Sequence, residues 1–419
     1  MSGTRGVFAF AHIGDLHLER PGDPNALDLQ AILDEVAGLH RHGLLDFAYL
    51  PGDLAEDGWA AQYRILIKAL AAHPKLPIRL IAGDHDRQYG RMTDFDALFA
   101  RVAGSPQGGG HWPRPRYRPR RPSRARFPQY YYAETIGGVR CLFLDMISAG
   151  YGRKGFGLDF RLGPRQLAWL RRALAKAERK GLPCAVFTHT YPDDLQVPEE
   201  KAELAGLIRG HGVRLVEMGH THYNELAHDG CTLYASARSV GQNEDGSVGY
   251  AVAAIDHGVT SWRFKALDRA LPFVMITSPA DRRLATEPLV TEPLGASGRQ
   301  IMVRALVLSN EPQAAWCCEA RVDGGPAYPM SPAGPRVVEA RVPWPYGSRR
   351  LAVTVTDGTV NTRTLVTNTD TDTIEPVSHS FVPPLAPDKP GSDAFRTGAW
   401  PEKGIRGDQL GPNRNGRHW

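Results

Sequence analysis

Five short apolar stretches of the chain each end in aspartate or histidine residues. The motifs are G-D-L-H at 14–17, G-D at 52–53, G-D-H-D at 83–86, T-H at 188–189 and G-H-T-H at 219–222. Carboxylate and imidazole ligands without a thiolate suit Mn, Fe or Zn ions rather than an iron–sulfur cluster or a structural zinc site. Two divalent cations about 3.5–4 Å apart neutralise phosphoryl oxygens and activate water. These residue types therefore predict a metal centre, and hydrolysis of a phosphate ester is a chemistry that would explain them.

The elements that must position these residues are strands of an α/β layered sheet. Apolar strands alternate with amphipathic helices, and ligands in such sheets gather beyond the carboxyl ends of the strands. One predicted helix carries Trp59, Tyr63, Leu66, Ile67 and Leu70 at core spacing. The other predicted elements are strands at 7–13, 47–50, 78–82, 139–144, 184–188 and 215–218, helices at 26–42 and 164–181, and antiparallel strands at 232–235, 250–255 and 261–264.

The pattern changes after about residue 268. Between 301 and 373, short alternating stretches separated by Gly, Pro, Asn and Asp predict an antiparallel β-sandwich of immunoglobulin or fibronectin type, over 269–378. On one of its strands Cys317 and Cys318 should point to opposite faces. Residues 379–419 form an irregular tail rich in Pro and Gly. The sandwich carries no chemical motif, so covering the site, dimerisation and partner binding all stay open as its role.

Composition narrows the classes of protein. The 419 residues, 42% of them hydrophobic, can form two domains, and a net charge of +5 does not by itself indicate nucleic acid or membrane binding. Five cysteines without a disulfide or metal spacing suit a reducing compartment. The first twenty residues lack a signal-peptide pattern, and no stretch approaches the roughly 20 apolar residues of a membrane span. We expect a soluble, cytoplasmic protein that does not enter a membrane.

The ordered motifs resemble the signature of the calcineurin-like metallophosphoesterase superfamily, which is D-x-H, G-D, G-N-H-[DE], a single H and G-H-x-H. The resemblance covers about Val7 to Lys265 and implies a four-layer α/β/β/α sandwich, to which the C-terminal antiparallel β-sandwich domain is added, with the boundary near 268. The sequences "LPGDLAEDG" at 50–58, Q-L-A-W-L at 166–170 and "GHTH" look most like class III cyclic nucleotide phosphodiesterases.

The resemblance implies a role for each matching residue. Two divalent ions, Mn, Fe or Zn, would be held with Asp53 as the bridge, and His85 would be the catalytic histidine that assists the leaving oxygen. We expect Asp86 to orient the His85 imidazole. The nucleophile would be a hydroxide that bridges the metals. The terminal ligands implied are Asp15, His17 and His222 for one metal, and Asp84, His189 and His220 for the other.

One position departs from the family pattern. The family has Asn where this chain has Asp84, and an ionised Asp84 lowers the positive charge of the site by one. We hypothesise that this favours a monoanionic diester over a dianionic monoester. A phosphodiesterase, with a cyclic nucleotide as a specific substrate, is therefore the favoured function, ahead of a nuclease or phosphomonoesterase. A metal-containing binding or scaffold module is the alternative that is not an enzyme.

Several other residues have two interpretations. His12 lies inside the first strand, where a role in the core or behind the ligands is favoured over metal ligation. The segment 111–127 contains seven arginines and no acid, within an insertion at about 104–128. It suits a solvated insertion, a nucleic-acid contact or a flap that recruits anionic substrate. Oligomerisation also stays open. Residues that could line the pocket, but more often pack or turn, are Asp145, Tyr223, Asn224 and Arg238.

Overall fold

Helices and strands alternate along the first half of the chain, and strands dominate the second half. The computed structural model describes residues 6–87, 90–104, 129–149, 159–229, 231–242, 247–284, 299–361, 364–377 and 405–406. In chain order, the elements are β1 (Phe8–His12), α1 (Pro24–Arg41), β2 (Ala48–Leu50), α2 (Ala60–Ala71), β3 (Ile78–Leu80), α3 (Thr93–Gly104), β4 (Tyr132–Ile136), β5 (Val139–Phe143), α4 (Gly163–Arg179), β6 (Cys184–Phe187), α5 (Pro198–Gly210), β7 (Leu215–Met218), β8 (Glu225–His228), β9 (Leu233–Ser236), β10 (Gly249–Asp256), β11 (Val259–Ala266), β12 (Phe273–Ser278), β13 (Arg299–Leu308), β14 (Trp316–Val322), β15 (Tyr328–Pro329), β16 (Ser331–Pro332), β17 (Val337–Trp344), β18 (Leu351–Asn361), β19 (Thr364–Ile374) and β20 (Ile405–Arg406).

Two sheets form the N-terminal part of the molecule. The first sheet has the strand order β11-β10-β1-β2-β3, and the second has the order β20-β8-β9-β7-β6-β5-β4. Strands β1, β2 and β3 are parallel neighbours, as are β5, β6 and β7. The carboxyl ends of the parallel strands therefore lie together at one edge of each sheet.

Aromatic side chains join the two sheets face to face. The Phe10 ring of the first sheet stacks on Phe47 with centroids 4.9 Å apart and meets the Phe187 ring of the second sheet at 5.3 Å. Phe187 in turn stacks on Phe143 at 4.5 Å. Alternate residues of a strand share one face, so the inward positions of β1 and β2 are large and apolar along most of their length.

The helices cover the outer faces of the sheets. Helix α1 has Pro24 in its first turn, where a missing backbone N–H costs nothing, and buries Leu29, Ile32, Leu33 and Val36 on one face. It packs on α2 and β10, while α4 and α5 pack on each other. The predicted α/β/β/α class is confirmed. Among the described residues, none of the helices combines the length and hydropathy that crossing a bilayer requires.

The C-terminal part is an antiparallel, strand-rich domain. Its two four-stranded sheets have the orders β12-β13-β17-β16 and β15-β14-β18-β19, and they share one apolar cluster that includes Val303, Cys318 and Val353. Cys318 is buried and Cys317 exposed, so the predicted opposite orientation is confirmed. The boundary at 268 stays a prediction, because Leu306 belongs to the same apolar cluster as the first sheet.

Some expectations about elements differ from the structure. Trp59 is not a core residue, since it precedes α2 at the N-cap position and is 50% exposed. The sequence patterns also missed α3 and α5, whose apolar faces are short. The insertion at 104–128, with its arginine-rich segment 111–127, lies outside the described residues apart from Gly104, which ends α3. Of the tail, only β20 is described, and it pairs with β8.

Candidate metal centre

The predicted ligands lie in the loops that follow five parallel strands. Strands β1, β2 and β3 lead to the first three motifs, and β6 and β7 lead to His189 and the G-H-T-H motif. The loops after β1 and β2 continue side by side, because the amides of Leu16 and His17 donate to the carbonyl oxygen of Asp53 at 3.0 and 2.9 Å. The sheet edges therefore bring residues from distant parts of the chain into one cluster.

One group of ligand atoms forms around His17 and His222. Their Nε2 atoms are 3.0 Å apart. The His222 Nε2 atom is 3.6 Å from Asp15 Oδ2, and the His17 Nε2 atom is 3.8 Å from Asp53 Oδ2. Two imidazoles and two carboxylates thus direct ligand atoms to one place.

A second group forms around Asp84. Its Oδ1 atom is 2.8 Å from His189 Nε2 and 3.1 Å from His220 Nδ1. Asp53 Oδ2 also lies 3.5 Å from His189 Nε2. The ligand atoms of Asp53, Asp84, His189 and His220 all lie within 4.8 Å of one another. The same Asp53 oxygen, Oδ2, therefore lies near both groups, and a carboxylate oxygen can contact two ions, which a neutral imidazole nitrogen cannot do.

The donor set fits two divalent cations. Asp15 is fully buried, and its Oδ1 atom has no hydrogen-bond partner in the described part of the chain, so a cation would satisfy an otherwise costly group. The Nδ1 atom of His189 lies 2.9 Å from the Pro51 carbonyl oxygen, and that of His17 lies 2.9 Å from Glu56 Oε2. Each contact fixes the tautomer that leaves Nε2 free to bind a metal.

The backbone of the ligand loops is constrained. Four non-glycine residues of the site have left-handed backbone angles, with φ of 44° at His17, 47° at Asp53, 68° at His220 and 63° at His222. Such angles cluster at functional sites, where the surroundings hold them in place. A Cβ atom at Gly219 would overlap Asp15 Oδ1, so this position has no room for a side chain.

His85 lies beside the first group. Its ring centroid is 4.6 Å from that of His17, and its side chain is 35% exposed. The backbone amide of His85 donates to Asp53 Oδ1 at 2.9 Å, and its Nδ1 lies 2.6 Å from the Glu56 carbonyl oxygen. Burial works against the charged ring, but Asp53 and the Glu56 carbonyl outweigh it and raise the pKa of His85. Its Nε2 atom is left to exchange a proton with a bound molecule.

The structure gives the Asp86 carboxylate partners other than the His85 ring, and the role of orienting His85 stays a prediction. The Asp86 carboxylate accepts hydrogen bonds from the amides of Leu54, Ala55 and Gly83 and from the Tyr63 hydroxyl, and it is 1% exposed. Neighbouring side chains in a turn diverge, which takes Asp86 inward while His85 stays at the site. The carboxylate thus braces the loops after β2 and β3.

Glu56 is the residue that sequence reasoning missed. Its carboxylate accepts from His17 Nδ1, and Gln242 Nε2 donates to the same Oε2 atom at 3.1 Å. Its carbonyl oxygen accepts from His85. The parallel pairing of β1 and β2 could have indicated Glu56, because the bridge of Leu18 with Ala55 continues that pairing into the loops. Position 56 therefore falls beside the D-L-H motif.

The site carboxylates differ in their electrostatics. Burial, together with the charge of Asp53, raises the pKa of Asp15 despite the opposing effect of His189. Burial also opposes ionisation of Asp84, but hydrogen bonds from His189 and His220 outweigh it and hold the pKa of Asp84 well below its usual value. Likewise His189 outweighs burial and lowers the pKa of Asp53. Asp53 and Asp84 are therefore anionic at neutral pH, as metal ligands need to be.

The remaining candidates are packing or turn residues. His12 is fully buried and lies 2.6 Å from Glu217, away from the ligand groups. Asp145 accepts from the amides of Ile147 and Ser148 within a turn, and Asn224 Oδ1 accepts from the amide of Arg238. Buried Arg238 donates to the Ser247 carbonyl, and Tyr223 is also buried.

Comparisons with known proteins point to one family. Residues 8–224 match the sequence profile described as calcineurin-like phosphoesterase. Similar solved structures include a dimetal phosphatase from Danio rerio, with 14% identity, a TM-score of 0.44 and coverage of 62% of this chain and 96% of that one. A purple acid phosphatase from yellow lupin seeds has 13% identity, a TM-score of 0.44 and coverage of 63% and 52%. GAP50, the anchor in the inner membrane complex of Plasmodium, has 12% identity, a TM-score of 0.40 and coverage of 62% and 85%. No curated protein matches the chain.

Proposed function

The chain belongs to the calcineurin-like phosphoesterase family, and from this premise we propose that it is a dinuclear phosphodiesterase. Membership makes it a metal-dependent hydrolase of phosphate esters. The observation that carries the proposal is the position of Asp53, whose Oδ2 atom lies 3.8 Å from His17 Nε2 in one group and 3.5 Å from His189 Nε2 in the other.

Each residue has a proposed role. Asp53 contributes to both metal positions. The ligands of one position are Asp15, His17 and His222, and those of the other are Asp84, His189 and His220. Mn, Fe and Zn all suit these oxygen and nitrogen donors. When bound, two such cations neutralise the phosphoryl oxygens and lower the pKa of water.

His85 supplies the proton for the departing oxygen. Its Nδ1 is held by the Glu56 carbonyl at 2.6 Å, which fixes the plane of the ring and leaves Nε2 to donate. Burial opposes the charged ring, but the charge of Asp53 outweighs it and raises the pKa of His85, which favours the protonated form that a general acid needs. A positioned acid of this kind typically contributes about 10²–10⁴-fold to the rate.

Asp84 is the basis for preferring a diester. The hydrogen bonds of His189 and His220 keep this carboxylate ionised, which leaves the site with one positive charge fewer than an asparagine there would. A phosphodiester carries one negative charge and a monoester up to two, so the lower charge penalises the monoester more. A cyclic nucleotide is the specific substrate suggested by the "LPGDLAEDG" and "GHTH" motifs.

The test compares two chromogenic esters. Metal-stripped protein is supplied with Mn²⁺, Fe²⁺ or Zn²⁺, and hydrolysis of bis(p-nitrophenyl) phosphate is compared with that of p-nitrophenyl phosphate. We expect metal-dependent turnover that favours the diester. Cyclic nucleotides and single-stranded nucleic acid are then screened as substrates. Preference for the monoester would replace the proposal by a phosphomonoesterase. A protein that binds two ions without hydrolysing either ester would instead be a binding or scaffold module.

Two variants separate binding from chemistry. Asp53→Ala should lose metal and activity together, since this residue serves both positions. His85→Ala should retain two metal ions and lose turnover. Normal turnover of His85→Ala would remove this histidine from the mechanism.

A further inference from the structure

The metal ligands belong to two sheets that no strand ladder joins in the described part of the chain. Asp15 and His17 follow β1 of the first sheet, whereas His220 and His222 follow β7 of the second. Apolar contacts between sheets have little directional preference, so they fix the separation of the sheets better than their lateral offset. Directional contacts near the ligands must set that offset.

One fully buried pair links β1 and β7 just behind the ligands. His12 Nδ1 lies 2.6 Å from Glu217 Oε2, and both side chains are 0% exposed. Each residue stands three positions before a ligand, His12 before Asp15 and Glu217 before His220. Phe8 and Phe10 fill the earlier part of the same face of β1 with aromatic rings. His12 therefore makes this face polar at the end nearest the ligands.

The pair is expensive for a core. Burial raises the pKa of Glu217, and His12 together with the Trp262 indole opposes this shift. Replacing a buried ionic pair by apolar residues of similar size is often neutral or stabilising, so stability is a weak reason for its presence. Positional specificity is the better reason, because a single buried polar contact can fix one register among several.

A second contact connects the pair to the ligands. The backbone amide of His220 donates to Asp15 Oδ2 at 2.6 Å, so the loops after β1 and β7 also meet three residues beyond His12 and Glu217. An offset between β1 and β7 would shift Asp15 relative to His222, which lie 3.6 Å apart. The geometry of the first ligand group thus depends on the alignment of these two strands.

We propose that His12 and Glu217 are positioning residues that align the two sheets and thereby set the affinity of the metal position formed by Asp15, His17 and His222. This inference rests on the proposed function only in that the position holds a metal ion. Residues that orient metal ligands typically change metal affinity about 10–100-fold when they are replaced.

The test measures Mn²⁺ binding by the full-length, metal-free protein in competition with a fluorescent chelator. The double variant His12→Leu/Glu217→Leu removes the polar contact and keeps the core filled. We expect its unfolding temperature to match or exceed that of the wild type, while one of two Mn²⁺ ions binds about 10–100-fold more weakly. Wild-type affinity for both ions in the folded double variant would overturn the inference.

Two further variants distinguish alignment of the sheets from general loosening and from an effect of charge. Tyr250→Phe removes a partly buried hydrogen bond to Glu35 that links β10 to α1 rather than one sheet to the other, so Mn²⁺ affinity should not change. Glu217→Gln keeps an acceptor for His12 and should retain the wild-type affinity. Weaker Mn²⁺ binding by Tyr250→Phe would show that any loosening of the domain has this effect. Mn²⁺ binding by Glu217→Gln as weak as that of the double variant would show that the charge of Glu217 acts instead of its position. Each result contradicts the inference. A wild type that binds no metal contradicts the proposed function as well, whereas two ions in an unaffected double variant contradict the inference alone.

Discussion

Asp86 should contribute to stability and not to chemistry. Its Oδ2 atom is 2.9 Å from the Gly83 amide, and its Oδ1 atom is 3.2 Å from the Leu54 amide, 3.3 Å from the Ala55 amide and 2.9 Å from the Tyr63 hydroxyl. Asp86→Ala leaves the three amides without this acceptor, whereas the Tyr63 hydroxyl keeps the Asp86 carbonyl oxygen at 3.3 Å. At about 1 kcal/mol for each amide, the low end of the usual range because water can enter the space, the loss is about 3 kcal/mol.

Asp86→Asn separates the two roles. If the asparagine oxygen takes the place of Oδ1, only the Gly83 amide loses its acceptor, which costs about 1–3 kcal/mol. The assay is urea unfolding of the metal-free protein at about pH 4, where Asp86 makes its full contribution to stability. The free energies of unfolding are compared at a common denaturant slope, and turnover of the metal-loaded variant is then measured below its unfolding transition. We expect reduced stability with nearly normal turnover.

A matched variant controls for loss of the charge alone. Asp34→Asn changes an aspartate that is 62% exposed and should alter the free energy of unfolding by less than about 0.5 kcal/mol. Wild-type stability of Asp86→Asn together with a large loss of turnover would refute the reasoning. It would restore Asp86 to the role of orienting His85.

Three other expectations follow from the site. Burial, with the charge of Asp53, raises the pKa of Asp86 in the folded protein to about 7. The protonated carboxyl therefore stabilises the metal-free protein fully below about pH 4. This contribution is lost as the pH rises to 7, at up to about 1.4 kcal/mol per pH unit. Asp86→Asn should remove that slope from a pH series of urea unfolding curves, and an unchanged slope would assign it to another group. Asp84→Asn should lower the ratio of diesterase to monoesterase activity at saturating metal, and a constant ratio would contradict the charge argument. Glu56→Ala should weaken metal binding about 10–100-fold in a chelator competition while Glu56→Gln, which keeps an acceptor for His17, does not; equal affinities of the two variants would show that Glu56 does not orient the ligand.

The sequence predicted the ligand loops well because a short-range signal encodes them. The local pattern of a buried strand followed by an aspartate or histidine predicts that this residue lies at the sheet edge when the strand has parallel neighbours. Asp53 and His189 are examples. The α/β class followed from the alternation of strands and helices, whereas the four-layer arrangement followed from the family resemblance. The antiparallel strands of the C-terminal domain were predicted from their period of two, which Cys317 and Cys318 illustrate.

The partners of those ligands were harder to predict. Adjacency along the chain suggested that Asp86 serves His85, but a turn separates neighbouring side chains, and the structure places the Asp86 carboxylate beside the Tyr63 hydroxyl. The contacts of Glu56 with His17 and of Glu217 with His12 span 39 and 205 positions. Such pairs depend on how loops and sheets meet in space, which no local pattern records.

The left-handed backbone of the ligand loops carries an evolutionary consequence. His17, Asp53, His220 and His222 all have positive φ, a conformation that costs a non-glycine residue about 1–3 kcal/mol. A glycine at each position would relieve this cost and stabilise the metal-free chain. Selection for stability alone would therefore disfavour all four residues, so their presence together is better explained by the chemistry of the site than by stability. A descendant that no longer needs the chemistry of the site should lose these four residues before it loses the aromatic side chains that join the two sheets.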